Sequence, residues 1–355
     1  MAAPLVTIAM PVFNGARFLG PAIDSILSQS VADFELILSD DGSTDESREI
    51  GLAYARKDPR IVLLASRHAG IGSAMNRALE SAKGEFFAPM DQDDVAMPER
   101  VARALRYLEA NRDAAVVGGA IRAMDELGRT RKVKSPAFEP WDVATAMHFS
   151  CAIIHPTSMM RTTLAKAVGG YRVALPFALD YDLWLRLMER HEVANLPDIL
   201  LLKRQHQAQV TRNYSRRPAQ VVAAVVAYMS YLSRQAFARD FVDDDQPLLA
   251  AAAGFVDLYL SSRDDLPASV FHHFSRFVRY APLLTSGPRR LDHPYWLYIT
   301  KTMHESDARN ILRTLWYVAS YFGYNRFRRG ELFPDLPGFG QLVEHTRRGI
   351  KGTVA

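Results

Sequence analysis

Short apolar runs alternate with stretches of helical periodicity over the first 120 residues, and this alternation restricts the fold more than any other feature. Val6 to Val12 (VTIAMPV), Phe34 to Ser39 (FELILS), Ile61 to Ala65 (IVLLA), Glu85 to Met90 (EFFAPM) and Ala114 to Gly118 (AAVVG) read as strands. Between the first two, Phe18, Leu19, Ile23, Ile26 and Leu27 recur at the spacing of one helix face. Strands and helices alternating in this way form βαβ units, whose parallel sheet is covered on both faces. The expected class is α/β, with a mostly parallel sheet flanked by helices.

Sheets of this kind bind ligands at the carboxyl ends of their strands. Polar clusters fall at three such ends: Phe13-Asn14-Gly15 after the first strand, Asp40-Asp41-Gly42-Ser43 after the second and Asp91-Gln92-Asp93-Asp94 after the fourth. Three aspartates within four positions repel one another unless water, a metal cation or hydrogen-bond donors neutralise them. Helix starts are signalled by Ser43-Thr44-Asp45-Glu46 and by Pro98-Glu99. From about 120 to 213 the pattern is mixed, with a strand expected around Ala152-Ile153-Ile154, a break at Gly169-Gly170 and a helix over Tyr181 to Arg190. Beyond about 215, apolar stripes in 219–238, 247–262, 268–280 and 308–322 predict a mainly helical region.

A chain of 355 residues that is 48% hydrophobic can bury a sizeable core. Its 43 Lys and Arg against 39 Asp and Glu leave a net charge of +4, too even a balance to indicate a nucleic-acid partner, and none is expected. The single cysteine, Cys151, excludes an intrachain disulfide and a multi-cysteine zinc site; it fits packing in a reducing compartment. MAAPLVTIAMPVF lacks the charged start of a signal peptide, and the apolar runs at 221–229 and 248–260 are too short to span a bilayer. A cytoplasmic protein is expected.

Asp91-Gln92-Asp93 supplies hard oxygen ligands that suit Mg²⁺ or Mn²⁺, which a diphosphate would complete; the alternative is a solvated acidic turn. In Asp40-Asp41-Gly42-Ser43 a carboxylate could accept a nucleobase N–H, with Gly42 permitting close approach; the alternative is a helix cap and turn.

VTIAMPVFNGARFLGPAIDSILSQSVADFELILSDDGSTD, GIGSAMNRAL (70–79), GEFFAPMDQDDVAMPERV (84–101), HPTSMMR (155–161), GGYR (169–172), DYDLWLRL (180–187) and LPDILLLKRQH (196–206) together resemble the inverting glycosyltransferase family 2, of the glycosyltransferase-A fold. The resemblance spans about residues 5–213. It implies a Rossmann-like catalytic domain at 1–213, with a nucleotide-binding half (1–120) and an acceptor half (121–213), followed by a helical region at 214–355. By the same resemblance Asp41 binds the base, Pro11, Val12 and Asp91 contribute to the nucleotide site, and Asp93 holds Mn²⁺ or Mg²⁺ on the diphosphate; Asn14 and Arg67 are further candidates for the nucleotide site. Asp180 matches the aspartate of a Glu-Asp pair that serves as general base. Leu179 stands in place of the glutamate, which leaves Asp182 as the other carboxylate of this segment.

Direct displacement at an anomeric carbon requires an acceptor hydroxyl deprotonated as it attacks and a leaving diphosphate neutralised as its charge develops. A helix beginning near Asp180 would favour a negative charge there, and a simple N-cap is the other reading. His206 is a candidate for the metal, and His155 and Trp184 for the acceptor side, although Trp184 on its helix also reads as core. Arg67 and Arg204 read equally as phosphate contacts or surface residues. The run YFGYNRFRRG (321–330) fits either an interfacial helix on anionic lipid, giving peripheral membrane association, or a helix end with Arg326, Arg328 and Arg329 solvated.

The expected activity is transfer from a nucleotide-sugar donor, most simply a UDP-sugar, to a glycan or lipid-linked glycan acceptor in surface polysaccharide synthesis. A sugar nucleotidyltransferase would need a glycine-rich basic loop, absent after Met10, and a silent nucleotide-sugar sensor is favoured only by Leu179.

Overall fold

The computed structural model describes residues 3–148, 150–206 and 217–237, together with Asp240 and Val242. Nine strands form one sheet among the described residues. Its first half is β1 (Val6–Val12), β2 (Phe34–Asp40), β3 (Ile61–Ala65) and β4 (Phe86–Pro89), all parallel in the order β3-β2-β1-β4. These strands are nearly continuously apolar because helices cover both faces: Ile8, Met10, Leu36, Leu38 and Phe87 are fully buried. The connecting helices are α1 (Ala16–Leu27), α2 (Ser47–Lys57) and α3 (Ile71–Ser81).

The chain moves from β1 outward to β2 and β3, then returns to place β4 on the other side of β1. Strand order therefore reverses between β1 and β4. That is the position at which such sheets open a ligand crevice.

The second half adds β5 (Val95–Ala96), α4 (Arg100–Ala110), β6 (Ala114–Met124), β7 (Thr130–Lys134), α5 (Pro140–Met147), a 3₁₀ turn at His155–Thr157, β8 (Met159–Arg161), α6 (Thr162–Ala167), α7 (Leu179–Met188) and β9 (Glu192–Arg204). The sheet continues from β4 through β8, β6 and β9 to β5, with β7 on β6. Only β6 and β9 run parallel here; β8, β5 and β7 pair antiparallel. The parallel character expected from the sequence thus belongs to the first half of the sheet.

The strand expected at Ala152-Ile153-Ile154 is not formed. The segment is apolar because Ile153 is buried, but Asn195 Nδ2 donates to the Ala152 carbonyl (3.1 Å) and Pro156 opens the 3₁₀ turn, so no ladder forms. The helix expected at Tyr181 to Arg190 is α7. The stripe at 219–238 is α8 (Arg217–Phe237), which packs on α7 and is pinned by Arg234 Nε to Glu189 Oε1 at 2.7 Å. The stripes at 247–262, 268–280 and 308–322 and the YFGYNRFRRG run lie outside the described residues. No helix among the described residues is long and apolar enough to cross a membrane.

Candidate active site

The crevice begins at the ends of β1, β2 and β4. Gln92, between the two aspartates, ties the β4 end to the β1 end: its Oε1 accepts from Phe13 N and its Nε2 donates to Phe13 O, both at 3.0 Å. Asn14, at φ 47, binds the β1 loop to the β2 loop by accepting from Thr44 N (2.8 Å), while its own N–H donates to Ser43 Oγ (3.1 Å). Pro11 and Val12 end β1, opposite Ser39 and Asp40 of β2.

Asp41 follows β2 directly and is almost fully buried. Its Oδ1 accepts from Ala69 N and Arg77 Nη2, both at 3.1 Å. Its Oδ2 accepts from Gly70 N at 2.8 Å and lies 2.8 Å from His68 Nδ1. Gly42 has φ +79, and a Cβ there would stand 2.7 Å from His68 N, so this turn requires glycine. Arg67 is exposed on the same loop as His68.

Carboxylate oxygens of Asp91, Asp93 and Asp94 lie within 4.8 Å of one another. The chain supplies its own countercharge. Lys203, near the end of β9, places Nζ 3.1 Å from Asp91 Oδ2 and 3.5 Å from Asp94 Oδ2. Arg100 is buried behind the cluster and donates to the carbonyls of Pro89 (2.7 Å) and Ser158 (3.2 Å). Burial pushes the Asp94 carboxyl up to about 8, against the pull of Lys203 and with Asp91 and Asp93 adding to the rise. Burial works the same way on Asp91, but Lys203 and His155 more than offset it and hold its pKa below the ordinary value. Burial opposes the charge on Lys203, which Asp91 and Asp94 restore and strengthen.

Asp94 is fully buried and accepts from Arg204 N at 2.8 Å; it shapes the turn from inside. Arg204 is buried, not a surface residue, and donates through Nε to the Asp93 carbonyl at 2.8 Å. His206 Nε2 lies 2.7 Å from Asp93 Oδ2. The expected metal pair is therefore adjacent, although its members are 113 positions apart in the chain.

On the other side of the crevice, Asp180 is half-buried in the first turn of α7, and its Oδ1 accepts from Tyr181 N at 2.8 Å. The helix N-terminus favours its negative charge. His155 is buried, with Nε2 3.0 Å from Tyr171 Oη. Burial holds its pKa below the ordinary histidine value, although Asp180 and Asp91 both pull it upward. His155 thus feels the carboxylates of both sides.

Two expectations are corrected. Asp182 does not face the crevice: it is fully buried, its Oδ2 accepts from Arg186 Nε (2.9 Å) and Nη2 (2.6 Å), and Arg172 Nη1 lies 3.5 Å from Oδ1. It is a structural ion pair, so an acceptor hydroxyl cannot reach it. Trp184 is also fully buried, with its ring centroid 6.1 Å from that of His155. It packs behind His155 in the core and is not exposed to the crevice. Helical spacing separates Asp182 from Asp180: two positions is about half a turn, which turns that side chain from crevice to core.

A family model described as glycosyl transferase family 2 matches residues 7–168. An uncharacterized glycosyltransferase of Methanocaldococcus jannaschii is 30% identical over 204 residues, covering 56% of this chain and 70% of that protein. The chain belongs to glycosyl transferase family 2. It is a glycosyltransferase. The Bacillus subtilis protein EpsE is 35% identical over 191 residues, covering 52% of this chain and 67% of EpsE. Among solved structures, S. aureus TarS 1–349 in complex with UDP-GlcNAc aligns at TM-score 0.59 and 15% identity, over 97% of this chain and 92% of that one. The glycosyltransferase-A fold is shared.

Arg186 of this family 2 enzyme also donates to the carbonyls of Val168 and Gly170. It thereby fixes the Gly169-Gly170 turn that delivers Tyr171 to His155. Removing it would leave buried Asp182 with Arg172, 3.5 Å from its Oδ1, as its one cationic neighbour among the described residues. Arg186→Ala is expected to cost about 3 kcal/mol, the lower end for a broken buried pair. Thermal unfolding should show Tm lower by roughly 10 °C; an unchanged Tm would contradict the buried-pair assignment.

Proposed function

We propose that this glycosyltransferase is metal-dependent and inverting, and moves a sugar from a nucleotide-sugar donor to a hydroxyl of a glycan or lipid-linked glycan in surface polysaccharide synthesis. The observation that carries this reading is the arrangement of carboxylates around one crevice. Asp41 and Asp91 follow strands on either side of β1, about 10 Å apart by strand spacing, and Asp180 and Asp91 both act on His155.

The cluster fits a divalent cation. Its ligands are hard oxygens with one imidazole, and Lys203 already balances Asp91 and Asp94. In this reading Asp93 and His206 hold Mn²⁺ or Mg²⁺, and Asp91 contributes beside the nucleotide. A cation bound there would take up charge developing on the leaving diphosphate.

The chain's own residues account for the remaining steps. Asp41 accepts a ring N–H of the nucleobase, and the Pro11 to Asn14 strand end forms the floor beneath the nucleoside. Asp180 receives the proton of the acceptor hydroxyl as that oxygen attacks the anomeric carbon. Leu179 packs into the core, so Asp180 acts without the neighbouring glutamate. His155, neutral and held by Tyr171, orients groups between donor and base. Residues 1–120 serve the nucleotide and 121–213 the acceptor.

TarS, which shares the fold, binds UDP-GlcNAc, so UDP-sugars come first among donors to test. Incubation with Mn²⁺ and a panel of sugar nucleotides should give slow donor hydrolysis without acceptor. Pyrophosphate-dependent nucleotide release, or binding with no turnover under any acceptor, would overturn the proposal.

A further inference from the structure

We propose that the His68 imidazole occupies, in the free protein, the seat of the donor's nucleobase, and has to leave it for the donor to bind. This rests on the reading of Asp41 as the base-binding residue. A carboxylate accepts at about four lone-pair positions; Asp41 Oδ1 accepts from Ala69 N and Arg77 Nη2 and Oδ2 from Gly70 N, while His68 Nδ1 sits 2.8 Å from Oδ2 and donates to the Asp41 main-chain carbonyl at 3.2 Å. The imidazole thus covers the fourth position, and a nucleobase N–H cannot reach it while His68 stays.

The four partners are not equally replaceable. Ala69 N and Gly70 N are backbone groups leading into α3, and Arg77 comes from α3 itself. The His68 side chain, by contrast, is 58% exposed and held by rotatable bonds. It is also a flat ring stacked on Phe13, with centroids 4.2 Å apart and planes at 24°. Beside a carboxylate oxygen, Nδ1 carries the proton, because a bare nitrogen lone pair would be repelled.

The imidazole therefore fills the place a nucleobase would take: its ring nitrogen sits 2.8 Å from Asp41 Oδ2 while donating to the Asp41 main-chain carbonyl (3.2 Å), and one face lies on an aromatic ring. Uracil and guanine carry such a ring N–H. Neutral adenine and cytosine do not, so they could not displace His68 on equal terms. The same pair of contacts would give the free site a stand-in ligand and select for imide-type bases.

When the competent state is only partly populated, apparent affinity falls by that fraction. Titration calorimetry of UDP in Mn²⁺ should give about tenfold tighter binding for His68→Ala than for the natural chain, if the seat is filled about nine-tenths of the time. A purely structural histidine would not tighten binding when removed, and melting curves will show that the variant is folded. Asp41→Asn should lose UDP binding with either residue at position 68. UDP binding that depends on Asp41 but is weaker or unchanged in His68→Ala overturns the seat alone. Binding retained in Asp41→Asn overturns the base-binding reading, and the seat with it.

Discussion

Asp180→Asn should lower kcat for sugar transfer by about 10³-fold, within the range that a positioned general base contributes, and leave UDP affinity unchanged. Asparagine has the same shape and its side-chain oxygen still accepts from Tyr181 N, so the first turn of α7 is preserved. What it lacks is the capacity to take the acceptor's proton. Initial rates with saturating donor, beside calorimetric UDP titration, separate the two effects. Near-normal turnover would remove Asp180 from the mechanism. The ion pair of Asp182 with Arg186 gives the contrast: a substitution there should act first on stability, because that carboxylate has no path to the crevice.

Asp93→Asn should abolish the gain in nucleotide affinity that Mn²⁺ provides, a loss at least as large as the roughly 10–100-fold that removing a mere hydrogen-bond partner of a metal ligand costs, and EDTA treatment of the natural chain should reproduce it. The fold should survive. Asp93 lies at the mouth of the cluster, with 18% of its side chain exposed, whereas Lys203 and Arg100 neutralise the buried part. The comparison is made by titrating UDP with and without Mn²⁺ in both proteins. Equal Mn²⁺ dependence in the two would place the cation elsewhere.

These expectations differ in how early they could be read. The parallel half of the sheet was legible because a strand buried on both faces has to be apolar along its whole length. VTIAMPV and FELILS satisfy this, and their ends are marked by abrupt polarity. The position of the acidic clusters was legible for the same reason: they follow strands. Segment 152–154 misled because burial alone makes a segment apolar, whatever its hydrogen bonding. Asp182 misled because a carboxylate's identity says nothing about which way its helix turns it.

The countercharges were not legible at all. Lys203 and Arg204 sit in KRQH with no local sign that they meet Asp91, Asp93 and Asp94 more than a hundred positions earlier. They arrive because β9 pairs with β5 immediately after the acidic turn. His68, Phe13 and Arg77 likewise look like ordinary loop and helix residues until the β1, β2 and β3 ends are brought side by side.

The sequence by itself therefore determined the class of fold, where its first strands lie along the chain and the carboxylates that end them. Periodicity and burial act locally, within a few residues of the chain. The tertiary structure alone decided which charges neutralise the acidic turn, which of two aspartates on α7 meets the crevice, and what rests against Asp41. Those outcomes depend on strand register and helix rotation, and packing between distant segments sets both.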